Sequence, residues 1–288
     1  MRQAAVDLVE IHTILGFDPI RLYPTPRAER PIRIGRHTWQ EGQVGHEQLP
    51  SDCQRPWTLG CPERSEAERE DALRQALQRD PPPLTEPDNR CFLMWREARR
   101  LTDEKGIDLP VFAAVYSFGV STQPPFLLRW FVSDRALVHE YYARQRNAGT
   151  NLAVHLAQEG ADIRGLGGDF ASDHGPMCSP RDYREFIAPN VAMQAEAMRR
   201  RGVLTTNASN GDIWPVIDAF LLDASVDGFE EIDFAAGMDL GRLRAQYPAT
   251  TFIGNLDIRH TLTGETSGQS GCTRAVVFRT ALAMGGTS

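Results

Sequence analysis

The chain has 288 residues, 41% of them hydrophobic and 24% charged, a globular balance that excludes wholesale disorder and a fibrous repeat. Its formal net charge of −7 argues against a nucleic-acid scaffold, which carries a basic excess. No apolar run approaches the roughly 18–20 residues that cross a bilayer, and the first residues alternate charged with apolar types, unlike a signal peptide, so the expectation is a cytoplasmic protein with no membrane partner.

Helical spacing of Ala5, Val6, Leu8, Val9, Ile11, Ile14 and Leu15 predicts a helix over 3–15 that stops at Gly16. Residues 19–24 read as a short strand. Residues 25–65 are rich in Arg, Pro, Gly and Gln, with fragments that suit hairpin strands, and read as a polar excursion from a single domain spanning 1–288. A helix over 65–80 opens on Ser65 as N-cap and ends at Pro81. Helices are then expected over 91–105, 134–160, 179–202, 213–225, 238–247 and 272–284. Between them, strands are expected over 110–120, 161–170, 203–209, 228–232 and 250–257.

Strands alternating with helices specify a parallel sheet with helical crossovers. Six strands carry polar residues at their C-terminal ends, namely Asp169, Asn207, Ser209, Glu230, Glu231, Asn255 and Asp257. That clustering suits a (β/α)8 TIM barrel with its site at the top face. A doubly wound dinucleotide fold is disfavoured, because GLGGDF (165–170) lacks the G-x-G-x-x-G spacing.

Cysteine and lysine usage narrow the chemistry. Cys53, Cys61, Cys91, Cys178 and Cys272 include no Cys-x-x-Cys pair, so neither a disulfide framework nor a zinc ribbon is supported. Lys105 is the only lysine among 31 basic residues, a skew that suits codon bias. It sits in the polar turn TDEKGID and reads as a solvated surface residue rather than a Schiff-base former.

Four segments, GGDFASDHGPMCSPRDYREFIAP, NGDIWPVID, VDGFEEIDFAAGMDLGRL and FIGNLDIRHTLTGET, occur in order between 161 and 266. Together they resemble the uroporphyrinogen decarboxylase superfamily, which holds porphyrinogen decarboxylases and corrinoid-dependent methyltransferases on a (β/α)8 barrel. The resemblance implies a substrate over the C-terminal ends of the strands. It also implies an incomplete barrel, since in the family one strand precedes the first helix and another follows the last. A truncated product with open outer strands would invite self-association, with a homodimer as the default.

The departures are equally informative. Zinc-thiolate methyltransferases of the superfamily hold the metal with a His-x-Cys pair where this chain has Asn207-Ala208-Ser209, so no metal is expected here. The decarboxylases bind substrate carboxylates with arginines of an MRQAGR-like segment. This chain begins Met1-Arg2-Gln3-Ala4-Ala5-Val6, without the second arginine, and shows no counterpart of their aspartate loop.

Asp169 and Glu231 are the candidate catalytic carboxylates, Glu231 through the family's register. Strand alternation points Glu231 away from Glu230. Tyr116, Asp173, His174, Ser209, Asn210, Asn255 and Asp257 are the candidate substrate-binding groups. Competing structural roles are turns for Asp173 and His174, a helix cap for Asp212, and core packing for Phe118 and Trp214. The resulting expectation is metal-independent decarboxylation or related lyase chemistry on a tetrapyrrole or carboxylate-bearing small molecule, with no cofactor. The alternatives are a corrinoid-dependent methyltransferase working with a corrinoid protein but without the zinc-thiolate site, and a non-catalytic truncated barrel.

Overall fold

The computed structural model describes residues 2–16, 19–22, 32–35, 38–41, 44–48, 54–58 and 65–254, the last span without 82, 85, 88, 116, 117 and 121–124. Helix α1 (Arg2–Leu15) leads into strand β1 (Ile20–Leu22). The polar excursion contains β2 (Ile32–Arg33), β3 (Thr38–Glu41), β4 (Val44–Gln48) and β5 (Gln54–Thr58), an antiparallel sheet in that order.

Helix α2 (Glu66–Gln78) begins with a capping box: the Ser65 hydroxyl accepts from the Glu68 backbone N–H while the Glu68 carboxylate accepts from the Ser65 N–H. After a 3₁₀ turn over Asn89–Phe92, α3 (Leu93–Lys105) closes on Gly106 at φ 62°, where the Ile107 N–H returns to the Thr102 carbonyl. Lys105 pairs with Glu10 of α1 at 3.2 Å. Strand β6 (Val111–Ala114) is followed by α4 (Phe126–Ser133) and α5 (Arg135–Gln158), the latter capped by Asp134.

Strand β7 (Ile163–Gly167) leads to a small hairpin, β8 (Ala171–Ser172) and β9 (Gly175–Pro176). Helix α6 (Pro180–Asp182), capped by Ser179, runs through a π turn (Tyr183–Ile187) into α7 (Ala188–Arg199). Then come β10 (Leu204–Ala208), a 3₁₀ turn (Trp214–Val216), a second π turn (Ala219–Asp223), β11 (Gly228–Ile232), α8 (Leu240–Gln246) and β12 (Thr251–Gly254).

Strands β1-β6-β7-β10-β11-β12 form one sheet in that order, every neighbour parallel. The fold is therefore mixed α/β with a parallel sheet, and its curl follows from a side-chain contact. Strands β1 and β11 stand four places apart, about 19 Å in a flat sheet. Yet Arg21 of β1 reaches Glu230 of β11 at 3.4 Å. The six strands thus bend into a half-barrel around their shared face.

The outer face carries the helices. Ile20, Leu22, Val111 and Ala113 pack with Ala5 and Val9 of α1 and with Trp95, Ala98 and Leu101 of α3. A larger cluster joins Leu166 and Phe229 to α4, α5, α7 and both π turns.

Several elements differ from the sequence expectations. No helix is expected between 120 and 134, but α4 is there, burying Phe126, Trp130 and Phe131 behind the prolines that hide its start. The strand expected over 110–120 ends at Ala114. The helix expected over 179–202 widens into a π turn, because Pro189 lacks the N–H for an ordinary bond back to Glu185. The helix expected over 213–225 combines 3₁₀ and π turns, and the amide of Asn207 donates to the Phe220 carbonyl inside the second. The helix expected over 272–284 and residues 255–257 lie outside the described residues.

Candidate functional site

The concave face of the sheet gathers polar groups. A Cβ on Gly165 of β7 would lie 2.7 Å from Glu230 Oε1 and 3.2 Å from the Phe112 ring of β6. The absence of a side chain there makes the room that Glu230 occupies. Thr206 of β10, paired with Gly165 and Gly228 in the ladder, donates its hydroxyl to Glu230 Oε1 at 2.7 Å. Arg21 brings Nη2 to 3.4 Å from Glu230 Oε2 and lies over the Phe112 ring at 5.4 Å.

Glu231 breaks the alternation expected of it. Its φ is +65°, the ladder between β11 and β12 shifts register between Glu230 and Ile232, and the residue forms a bulge. Instead of pointing away from Glu230, its carboxylate lies 3.6 Å from the same Arg21 Nη2. Glu230 has a side chain 2% exposed and Glu231 one 29% exposed. The fully buried carboxylate is thus Glu230, where the family register favoured Glu231.

Burial pushes the Glu230 carboxyl up to about 7, against opposing pulls from the Thr206 hydroxyl and Arg21 and with a further push from Glu231. Burial also raises Glu231; Arg21 opposes this and the charge of Asp169 adds to it. Asp169 is therefore an electrostatic neighbour of Glu231. It follows β7 on an exposed loop, where its carbonyl accepts from the Val120 N–H at 2.8 Å.

The other candidates are placed as follows. Asp173 and His174 form the exposed tip of the β8–β9 hairpin, with the His174 N–H donating to the Ser172 hydroxyl at 3.2 Å. Ser209 is buried, accepting from the Phe170 N–H and donating to the Asn210 carbonyl, while Asn210 is exposed. Asp212 caps the turn that begins at Trp214, whose N–H it accepts at 2.9 Å. Phe118 packs in the core beside Tyr142, and Trp214 stacks under Arg242. Tyr116, Asn255 and Asp257 lie outside the described residues.

Sequence reasoning passed over Arg21, Thr206 and Gly165. A signal for Arg21 was present: a lone arginine between Ile20 and Leu22 in a three-residue strand must face away from the core that its neighbours enter.

Among the described residues, no group of three or more His, Cys, Asp or Glu side chains could hold a metal ion. No described helix is long and apolar enough to cross a membrane.

No family model matches the chain, and no curated protein matches it either. Among solved structures, a methyltransferase from Methanosarcina mazei superimposes with a TM-score of 0.52 at 15% identity, over 88% of this chain and 68% of that one. A class V chitininase from Pseudomonas fluorescens Pf-5 overlaps 50% of this chain and 39% of that chain at 14% identity, with a TM-score of 0.28. The first likeness bears on fold alone and does not single out the uroporphyrinogen decarboxylases. The chain is a mixed α/β protein whose fold is similar to that of the Methanosarcina mazei protein, its parallel sheet curled around an Arg–Glu–Glu cluster of which Glu230 is the buried member.

Proposed function

We propose that the chain is a methyl-transfer enzyme in which Glu230 protonates the heteroatom that a methyl group leaves. One observation carries the reading: a carboxyl buried on the concave face of the sheet and held by a hydroxyl and a guanidinium, where burial pushes it up to about 7. The likeness to a methyltransferase fold supports the choice of reaction.

The donor is a small molecule with its methyl on oxygen, sulfur or nitrogen. Its carbon–heteroatom bond breaks as a nucleophilic acceptor takes the methyl, and the proton of Glu230 moves to the departing heteroatom. Arg21 and the Thr206 hydroxyl then hold the carboxylate left behind. A reduced corrinoid carried by a partner protein is the acceptor in this proposal, and it enters as a co-substrate. Asp169 and Glu231 are part of the same proposed machinery. Asp173, His174, Ser209 and Asn210, with Tyr116, Asn255 and Asp257, remain the proposed substrate contacts.

No step is routed through zinc. At the position of the superfamily's His-x-Cys pair stand an amide that donates to the Phe220 carbonyl and a hydroxyl bonded to Phe170 and Asn210, a donor set unsuited to Zn²⁺. Decarboxylation is less well supported, because Arg21 already faces two carboxylates and offers a substrate carboxylate correspondingly little.

The test is incubation with free cob(I)alamin and a panel of methyl ethers, thioethers and amines, following methylcobalamin. Glu230→Gln should lower the rate about a hundredfold or more. Parallel incubations with uroporphyrinogen should release no carbon dioxide. Carbon dioxide release without methyl transfer would reverse the reading, and activity in neither assay would remove both.

A further inference from the structure

We propose that Glu230 and Glu231 act as one acid holding a single proton, with Glu231 and Arg21 as the positioning residues that make the pair. This rests on the reading of Glu230 as the proton donor and adds how that proton is kept and replaced.

In a regular strand, consecutive side chains leave opposite faces, and Glu231 would be turned away from the concave face. A non-glycine residue at φ +65° is costly for the backbone and persists where the surroundings enforce it. Here the outcome of that strain is specific: both carboxylates converge on one guanidinium nitrogen, at 3.4 and 3.6 Å.

Two full negative charges beside one cation, with Glu230 only 2% exposed, repel each other, so one of the two holds a proton. Every described strand packed against the pair bears on its balance. Arg21 comes from β1 and Thr206 from β10, while Asp169 follows β7. Phe112 of β6 and Ile253 of β12, Glu230's ladder partner, add no charge.

Exposure orders the pair. Glu230 is the more buried of the two and faces Thr206, whereas Glu231 is nearly a third exposed. After Glu230 gives its proton to the leaving heteroatom, the pair is doubly anionic. Glu231 then takes a proton from solvent and passes it inward, restoring the starting charge. Arg21 draws both carboxylates to one nitrogen, at 3.4 and 3.6 Å.

The experiment is a titration of the ¹³C-glutamate-labelled full chain by carboxyl NMR between pH 5 and 9, with neither methyl donor nor acceptor present. Glu230→Gln identifies the buried carboxyl by removing its signal. Glu231→Asn keeps a residue that tolerates positive φ and removes the second carboxylate from Arg21's side. It should lower the Glu230 midpoint by about one pH unit. Arg21→Gln should raise that midpoint, and Arg21→Lys, which keeps the charge, should raise it less.

A merely structural role for Glu231 would change melting temperature and leave the midpoint alone. A Glu230 midpoint unmoved in folded Glu231→Asn overturns the pair, whatever the arginine variants do. Because no methyl group is involved, coupled titration in a protein inactive toward every donor would sink the methyl-transfer reading alone. An uncoupled titration in an active enzyme would sink only the pair.

Discussion

Glu230 is stabilised in its protonated form by the fold, and that has a consequence for stability with a definite sign. Its folded value, about 7, lies above the ordinary 4.5. The stabilising contribution is therefore complete below about pH 4.5 and lost as pH rises through about 7. The amount at stake is on the order of 3 kcal/mol for a carboxyl this deeply buried. Glu230→Gln keeps an acceptor for the Thr206 hydroxyl and removes the ionisation. Wild type should lose stability relative to this variant across pH 4.5–7, as read from urea denaturation midpoints at fixed pH steps. Parallel pH profiles for the two proteins would show that the buried carboxyl costs nothing to ionise.

At the scale of elements, the sheet was largely readable from sequence and the site only partly so. The alternation of apolar strands with helices located β6, β7, β10, β11 and β12; the first four bury their outer faces under the helical layer, and Phe252 of β12 packs half-buried against it. Ser65 and Ser179 marked helix starts because their side chains satisfy N–H groups locally. What escaped the sequence depends on distant partners. The Glu231 bulge is visible only once β12 lies alongside β11, and the π turn at Ala219–Asp223 only once Asn207 faces Phe220. Strand alternation gave the wrong side for Glu231 because a bulge suspends the two-residue period.

Gly165 is where strand and site depend on each other most directly. A Cβ there would stand 2.7 Å from Glu230 Oε1, with the Phe112 ring at 3.2 Å leaving no second way out. Gly165→Ala should therefore displace the carboxylate. We expect a stability loss of about 1–3 kcal/mol in chemical denaturation. The Glu230 midpoint should also move toward its ordinary range as the carboxyl is pushed to solvent. A stability loss with an unmoved midpoint would mean that the backbone yields and the carboxylate stays.

At the scale of the molecule, two hydrophobic clusters meet across the sheet. One joins α1 and α3 to β1 and β6; the other joins α4, α5 and α7 to β7, β10 and β11. Arg21 belongs to a strand of the first, and Glu230 and Glu231 to a strand of the second. The ion pair thus reports on whether the two halves hold together. Val9 is fully buried on α1, and Val9→Asp would place a carboxylate among apolar side chains, which costs several kcal/mol unless the helix lets go. Hydrogen exchange should then quicken in β1, β6 and α3 while β10 and β11 keep their protection. With Arg21 released, the Glu230 midpoint should rise, since the guanidinium opposes the effect of burial. Uniformly faster exchange would make the chain a single cooperative unit. Selective loosening of the first half with an unchanged midpoint would instead show that Arg21 stays on the carboxylates when the core beneath its strand has opened.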